Sequence, residues 1–394
     1  MPLTAMLTVA TALALLASAD RAAIGEPAAD LVVSRIALGS CAKQDRPMPI
    51  WSAVSGFKPD VLLMLGDNVY GDTEDMAVLR GTYDLLAADR GFGAVRNTVP
   101  IVAVWDDHDY GVNDGGREYP MRRESQQVFL DFFGIPADAP VRTREGIYRE
   151  VAVGPPGRRV QFICLDTRSH RSPLASIPKP ERVKGRGPYT PSADPEATML
   201  GAAQWEWLEK VLREPADLRI VLSSIQVVST EHGWEHWGNF PAERARFLKT
   251  LRETEATGVI VVSGDRHSAE ISMIPAGDDA LAYPLFDLTA SSFNQPKRVD
   301  DDEEPNRHRF GERFHGANFG SIEIDWESAA AGGPPAVRLA IHDVEGKVVR
   351  SAEIPAGELT PARVPSEKGV GSHFPAAEGG PALPSEAGQG ALQK

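Results

Sequence analysis

Cysteine is scarce in this chain: there are two, Cys41 and Cys164, in 394 residues. Two thiols cannot form a disulfide framework, so stability has to come from a hydrophobic core. Long apolar runs are also missing. The best, Leu7 to Leu16, falls well short of the ~20 residues that a membrane-spanning helix needs, which excludes an integral membrane segment in the mature chain. Positive charge is in short supply, with 41 Lys and Arg against 55 Asp and Glu and a net charge of −14. That balance excludes binding to nucleic acid by general electrostatics and disfavours anionic membranes. Beyond about Ile354, large apolar residues become rare among Ala, Gly, Pro and Glu. Residues 355–394 are therefore expected to form a disordered tail.

What is present fits a globular protein, with 42% hydrophobic and 24% charged residues. The apolar run Leu7 to Leu16 is followed by Ala17-Ser18-Ala19, a small-x-small cleavage pattern. Residues 1–19 therefore read as a signal peptide, although no Lys or Arg precedes the run. Export to the periplasm, the cell envelope or the medium is the corresponding expectation. Cys164 lies in an apolar strand and reads as a buried small residue, whereas Cys41 ends a strand in a Gly-Ser-Cys turn that suits a ligand. A Cys41–Cys164 disulfide is the alternative in an oxidising compartment.

Strand-like and helical runs alternate through the first half. Helices are expected over 47–57, 76–88, 122–133, 201–213 and 242–256, the last opened by Pro241 and closed by Gly258. Strands are expected over 31–38, 61–65, 101–104, 146–153, 159–165, 219–223 and 259–262, then over 271–274, 285–289, 320–325 and 337–343. This order predicts an α/β domain over 30–354, with two sheets packed face to face and helices outside. Residues 170–195 read as a long surface loop, and the acidic run Asp300 to Glu304 as a solvated one.

Four short segments carry the chemistry: Gly39-Ser40-Cys41, Gly66-Asp67-Asn68-Val69-Tyr70, Trp105-Asp106-Asp107-His108-Asp109 and Gly264-Asp265-Arg266-His267. Each follows a strand-like run, so their side chains collect at strand carboxyl ends, where open α/β sheets bind ligands. Three acids around His108 would repel one another unless a cation sat among them. Asp107 is the expected ligand there and His108 the expected proton donor or phosphate contact, with Trp105 and Tyr110 as walls and Asn113 in reach of substrate. Tyr70 as a ligand calls for a strong Lewis acid such as Fe(III), since a free phenol ionises only near pH ~10. Arg168 is a candidate phosphate clamp, because a guanidinium binds two phosphate oxygens at once. Gln226 and the loop His232 to Trp237 are candidates to face the site, with Trp237 as a substrate contact.

In these segments the chain resembles the PhoD-like (alkaline phosphatase D) family of calcineurin-like metallophosphoesterases. Further matching pieces are Leu165-Asp166-Thr167-Arg168, Leu200-Gly201 with Gln204 and Trp207-Leu208, Pro241-Ala242-Glu243-Arg244 and Asn318-Phe319-Gly320. The resemblance implies a four-layer αββα sandwich with two mixed sheets and a binuclear or larger centre of Fe(III) with Ca(II). It makes Cys41, Tyr70 and His267 iron ligands, Asp67 the bridging carboxylate, and Asp107 and Asp265 ligands of the second metal. It implies hydrolysis of phosphate esters, expected to proceed through a metal-bound hydroxide; no obligate protein partner is evident in the sequence. A twin-arginine export signal, frequent in the family, is absent ahead of the apolar run. Two alternatives stand: a phosphodiesterase specific for an envelope polymer or phospholipid headgroup, and a non-catalytic metal-binding envelope protein.

Overall fold

The computed structural model describes residues 25–297, 304–329 and 333–361. The expected signal peptide and residues 362–394 of the expected tail lie outside the described residues. Residues 355–361 belong to the folded body: Leu359 is buried, and its carbonyl accepts from the Gly258 amide at 2.8 Å.

The first sheet has the order β15-β14-β13-β1-β2-β3. Its parallel part is β1 (Arg35–Gly39), β2 (Val61–Leu65) and β3 (Ile101–Val104). An antiparallel meander, β13 (Asn318–Asp325), β14 (Ala336–Asp343) and β15 (Val348–Ile354), joins it beside β1. The second sheet has the order β12-β10-β11-β9-β8-β5-β4. Its parallel part is β5 (Val160–Cys164), β8 (Leu218–Leu222), β9 (Val259–Ser263) and β11 (Leu285–Ala290). β4 (Arg149–Val153), β10 (Ala269–Ile274) and β12 (Arg309–Phe314) run antiparallel at its flanks.

The runs VLLML, IVAV, VQFIC, LRIVL and VIVVS are buried along their whole length. Mostly apolar runs buried along their whole length suit parallel strands covered on both faces. One covering layer is the opposite sheet; the other is helical. Helices α1 (Ile50–Phe57), α2 (Met76–Ala88), α3 (Arg90–Arg96), α4 (Asp107–Tyr110) and α5 (Arg122–Phe132) accompany the first sheet's parallel strands. Helices α6 (Gly201–Leu212) and α7 (Pro241–Glu253) follow β5 and β8. The four-layer αββα expectation is met.

Local chemistry sets the boundaries. Asp75 and Asp89 cap α2 and α3 by accepting from the Ala77 and Phe92 amides, both at 2.8 Å. Pro241 occupies the first turn of α7, where its missing N–H costs nothing. Two expectations are corrected. The 170–195 stretch contains a short hairpin, β6 (Ala175–Ser176) with β7 (Tyr189–Thr190). Glu304, expected in a solvated loop, is buried against Arg266, Lys297 and Arg313, because three cations at one point need an anion. Both cysteines are free thiols, so the disulfide alternative lapses.

Candidate metal centre

The carboxyl ends of β1, β2, β3, β5, β8 and β9 face the same point from the two sheets. A bridge between Ser40 and Ser291, and a hydrogen bond from the Phe293 amide to the Ser40 carbonyl at 2.9 Å, tie the sheet edges together there. Cys41 leaves β1, Asp67 and Tyr70 leave β2, Asp106 to His108 leave β3, and Asp265 and His267 leave β9. Gly66 makes this crowding possible: it has φ 96°, and a Cβ there would lie 2.5 Å from the Asp106 Cβ.

The backbone is strained at the candidate ligands. Cys41, Asp67, Asp265 and His267 all have positive φ, at 59°, 49°, 64° and 54°. Non-glycine residues rarely adopt this region, and such strain gathers where a side chain must be aimed.

Around Asp67 the side chains are close. Its Oδ2 lies 3.4 Å from Cys41 Sγ and 3.2 Å from the Tyr70 hydroxyl. The same hydroxyl is 3.1 Å from His267 Nε2. Potential ligand atoms fall into four groups, each within 4.8 Å: Cys41, Asp67 and His267; Asp67, Asp107 and His108; Asp67, Asp106 and Asp265; Asp107, Asp114 and Glu235. Asp67 belongs to three of them. That spacing suits oxygen donors about 2.3–2.6 Å from a shared cation.

The electrostatics have one theme. Burial, with Cys41 and Asp107 nearby, raises the Asp67 carboxyl well above the usual range. Burial pushes the Cys41 thiol up to about 11 and raises the Tyr70 phenol, with Asp67 adding to the latter. Burial, assisted by Arg266 and Lys297, lowers His267 to about 4. Burial opposes charge on His108, but Asp67, Asp72 and Asp107 outweigh it and bring it to about 11. Asp67, Cys41 and Tyr70 thus hold protons that a cation would displace, and His267 is a neutral imidazole, as a metal ligand must be. Two buried carboxylate oxygens, Asp67 Oδ1 and Asp106 Oδ2, have no hydrogen-bond partner among the described residues. Open lone pairs beside a thiol, a phenol and an imidazole fit a strongly Lewis-acidic transition-metal ion, and the acids around Asp107 fit a hard cation that takes oxygen ligands.

Other expected residues sit elsewhere. Arg168 is fully buried and pairs with Asp106 and Glu235, its NH1 lying 2.8 Å from Glu235 Oε1. Its donors are committed to those acids, so it holds Asp106 rather than clamping a phosphate. Trp237 is fully buried, donates to the Ser223 hydroxyl at 3.0 Å and cannot touch substrate. Trp105 and Tyr110 pack on each other in the core and do not wall the site. Gln226 binds Glu270 and Thr289. Asn113 is exposed on the turn after α4. His108 lies beside the centre: Asp72 holds its Nδ1 at 2.8 Å, and its ring lies 4.3 Å from that of Tyr70.

Sequence reasoning passed over Asp114 and Glu235 and did not select Asp106. The Asp114 amide donates to Asp107 Oδ2 at 2.6 Å. Its position in Asn113-Asp114-Gly115-Gly116, a turn-forming run, was the available signal. Glu235, inside an aromatic loop, gave none.

The sequence model of the PhoD-like phosphatase family matches residues 36–326. Alkaline phosphatase D of Bacillus subtilis (strain 168) is 22% identical over 244 residues, which span 55% of this chain and 40% of that protein. A solved structure of PhoD superposes with a TM-score of 0.62 at 17% identity, covering 83% of this chain and 73% of that one. Purple acid phosphatase PPD1 from yellow lupin gives 0.54 at 13% identity, covering 84% and 54%. GAP50, the anchor in the inner membrane complex of Plasmodium, gives 0.50 at 12% identity, covering 82% and 89%. The family match runs from β1 to the end of β13 and takes in every strand-end segment of the centre, and the chain belongs to the PhoD-like phosphatase family, a family of phosphoric ester hydrolases.

Proposed function

We propose that this chain hydrolyses phosphate esters at a two-cation centre held by Cys41, Asp67, Tyr70, Asp107, Asp265 and His267. The observation that carries the reading is Asp67: it is buried, belongs to three donor groups and keeps one oxygen without a partner among the described residues. A cation pair here would supply Lewis acidity toward the phosphoryl oxygens and a nucleophilic water. Asp67 lies between the two donor sets and would bridge them. The Cys41, Tyr70 and His267 set favours Fe(III), and the acids around Asp107 and Asp265 favour Ca(II).

The protein's own residues supply position and protons. His108, held by Asp72 at 2.8 Å, retains 17% side-chain exposure and can donate to the leaving oxygen. Arg168 acts behind the centre, fixing Asp106 and Glu235. Phosphoryl transfer needs mainly alignment and neutralisation of charge, and this arrangement provides both. Export through residues 1–19 belongs to the same reading. No helix of the described residues is long and apolar enough to cross a membrane.

Asp67→Asn provides the test. Hydrolysis of para-nitrophenyl phosphate by the metal-loaded protein should fall by a factor of about 10²–10³, because the cations that would stabilise transition-state charge lose a shared ligand. Unchanged turnover in a folded variant would end the assignment. Bound metal without any hydrolysis in the wild type would favour the non-catalytic reading. A preference for bis(para-nitrophenyl) phosphate over the monoester would favour the phosphodiesterase.

A further inference from the structure

We propose that the hairpin arm of residues 177–189 is an anion subsite, taking a second negatively charged group on the substrate. The inference rests on the phosphoesterase reading and adds a substrate class to it: esters whose leaving group carries another phosphate or a carboxylate.

Composition is the first observation. In a chain of net charge −14, the stretch from Lys179 to Arg186 holds Lys179, Arg182, Lys184 and Arg186 against a single acid, Glu181. All four cations are exposed. Arg182 Nε donates to the Ile177 carbonyl at 3.0 Å, and Arg186 donates to the Glu231 carbonyl at 2.5 Å. These bonds orient the guanidinium groups without neutralising them. Pro178 and Pro180 fix φ at the start of the arm and limit its collapse.

The second observation is where the arm is rooted. The Tyr189 hydroxyl donates to the Asp114 carboxylate, whose own amide donates to Asp107 Oδ2 at 2.6 Å. The Ile177 amide donates to the Pro188 carbonyl at 2.7 Å, closing the base of the loop. The Gly187 and Tyr189 amides donate to the His232 and Gly233 carbonyls at 2.8 and 2.9 Å. The next residue, Trp234, is 37% exposed and has Lys297 Nζ 5.0 Å from its ring centroid. Lys297 in turn donates its amide to the His267 carbonyl at 2.9 Å. The arm is thus laced to the loop beside the centre, with an exposed aromatic between them.

Exposed cations act over about 8–10 Å at ordinary ionic strength. A small ester with a neutral leaving group would occupy the centre alone. An ester with a distal anion would gain from the arm as well, through both encounter and binding.

The test uses the full-length, metal-loaded protein and the triple variant Lys179→Gln, Arg182→Gln, Lys184→Gln. None of these residues touches the centre. On fructose 1,6-bisphosphate the variant should lose about tenfold in kcat/KM, mainly through KM, while para-nitrophenyl phosphate stays within twofold of wild type. Calorimetric titration with tripolyphosphate, which needs no turnover, should show Kd about tenfold weaker in the variant. Equal losses on both esters, or unchanged tripolyphosphate binding, would overturn the proposal. Tripolyphosphate binding that is lost in the variant, with no hydrolysis of either ester by wild type, would keep the subsite and reject the phosphoesterase reading.

Discussion

Two sets of buried acids sit within one fold and behave in opposite ways. Glu243 accepts from the Thr198 hydroxyl, the Met199 and Leu200 amides and the Trp205 indole. Asp166 accepts from the Ile147, Arg168 and Ser169 amides and from the Ser169 hydroxyl. Protein donors surround these carboxylates, which serve to join helices to loops. Asp67 and Asp106 are equally buried, yet each keeps an oxygen without a partner among the described residues. Leaving one oxygen of a buried carboxylate without a donor is costly, even where the other is bonded, as Asp106 Oδ1 is to Arg168 and Asp67 Oδ2 is to Tyr70. A fold that does so twice at one point, while satisfying its other acids, has kept those lone pairs for something the chain does not encode. Asp109 marks the border: it lies within the acidic segment but accepts from the Asp106 and Asp67 amides, the Asn68 amide group and the Tyr83 hydroxyl. It belongs with the structural set.

The contrast can be broken by exchanging the roles of the two sets. Glu243→Ala should cost about 3 kcal/mol or more in urea denaturation, because several buried donors lose their acceptor at ~1–3 kcal/mol each. Its hydrolysis per folded molecule should be retained. In the metal-free protein, Asp67→Asn should be as stable as wild type or more so, since it removes a poorly solvated acid. If Asp67→Asn destabilised the metal-free protein as much as Glu243→Ala, the distinction would fail.

A smaller effect sharpens the same point through pH. In the absence of metal, burial, with Asp107 and Asp265 adding to it against Arg168, pushes Asp106 up to about 8. The unfolded value is about 3.9. Between these values the folded state binds a proton that the unfolded state has released. Stability of the metal-free protein should therefore fall as pH rises from about 4 to about 8. Metal loading should abolish that slope. A metal-free protein whose melting temperature is flat across this window would contradict the electrostatic account.

Much of the fold was legible because buried strands announce themselves. Val61 to Leu65, Val160 to Cys164 and Val259 to Val262 are apolar runs bounded by turn residues, and each lies in a strand. β15 was harder to read: Val348–Ile354 mixes exposed Val348 and Glu353 with buried Ala352 and Ile354, a pattern close to that of a loop. β12, of sequence RFGERF, is exposed over half its length and carries a glycine, so periodicity said little. The strand-end segments could be read as one centre because each follows a strand. Arg168 and Trp237 could not be placed, since sequence does not tell an exposed guanidinium or indole from one buried by tertiary packing. Glu235 joins the centre only through a loop whose path depends on Arg168 and Arg171.

The most direct test is metal content with a visible spectrum, measured on purified wild type and on Tyr70→Phe. The account predicts at least two metal ions per wild-type chain, iron among them, and a tyrosinate-to-iron charge-transfer contribution that is lost in Tyr70→Phe while the fold persists. A wild-type protein that hydrolyses phosphate esters after its metals have been stripped, or that binds metal with no contribution from Tyr70, Asp67 or Cys41, would contradict it.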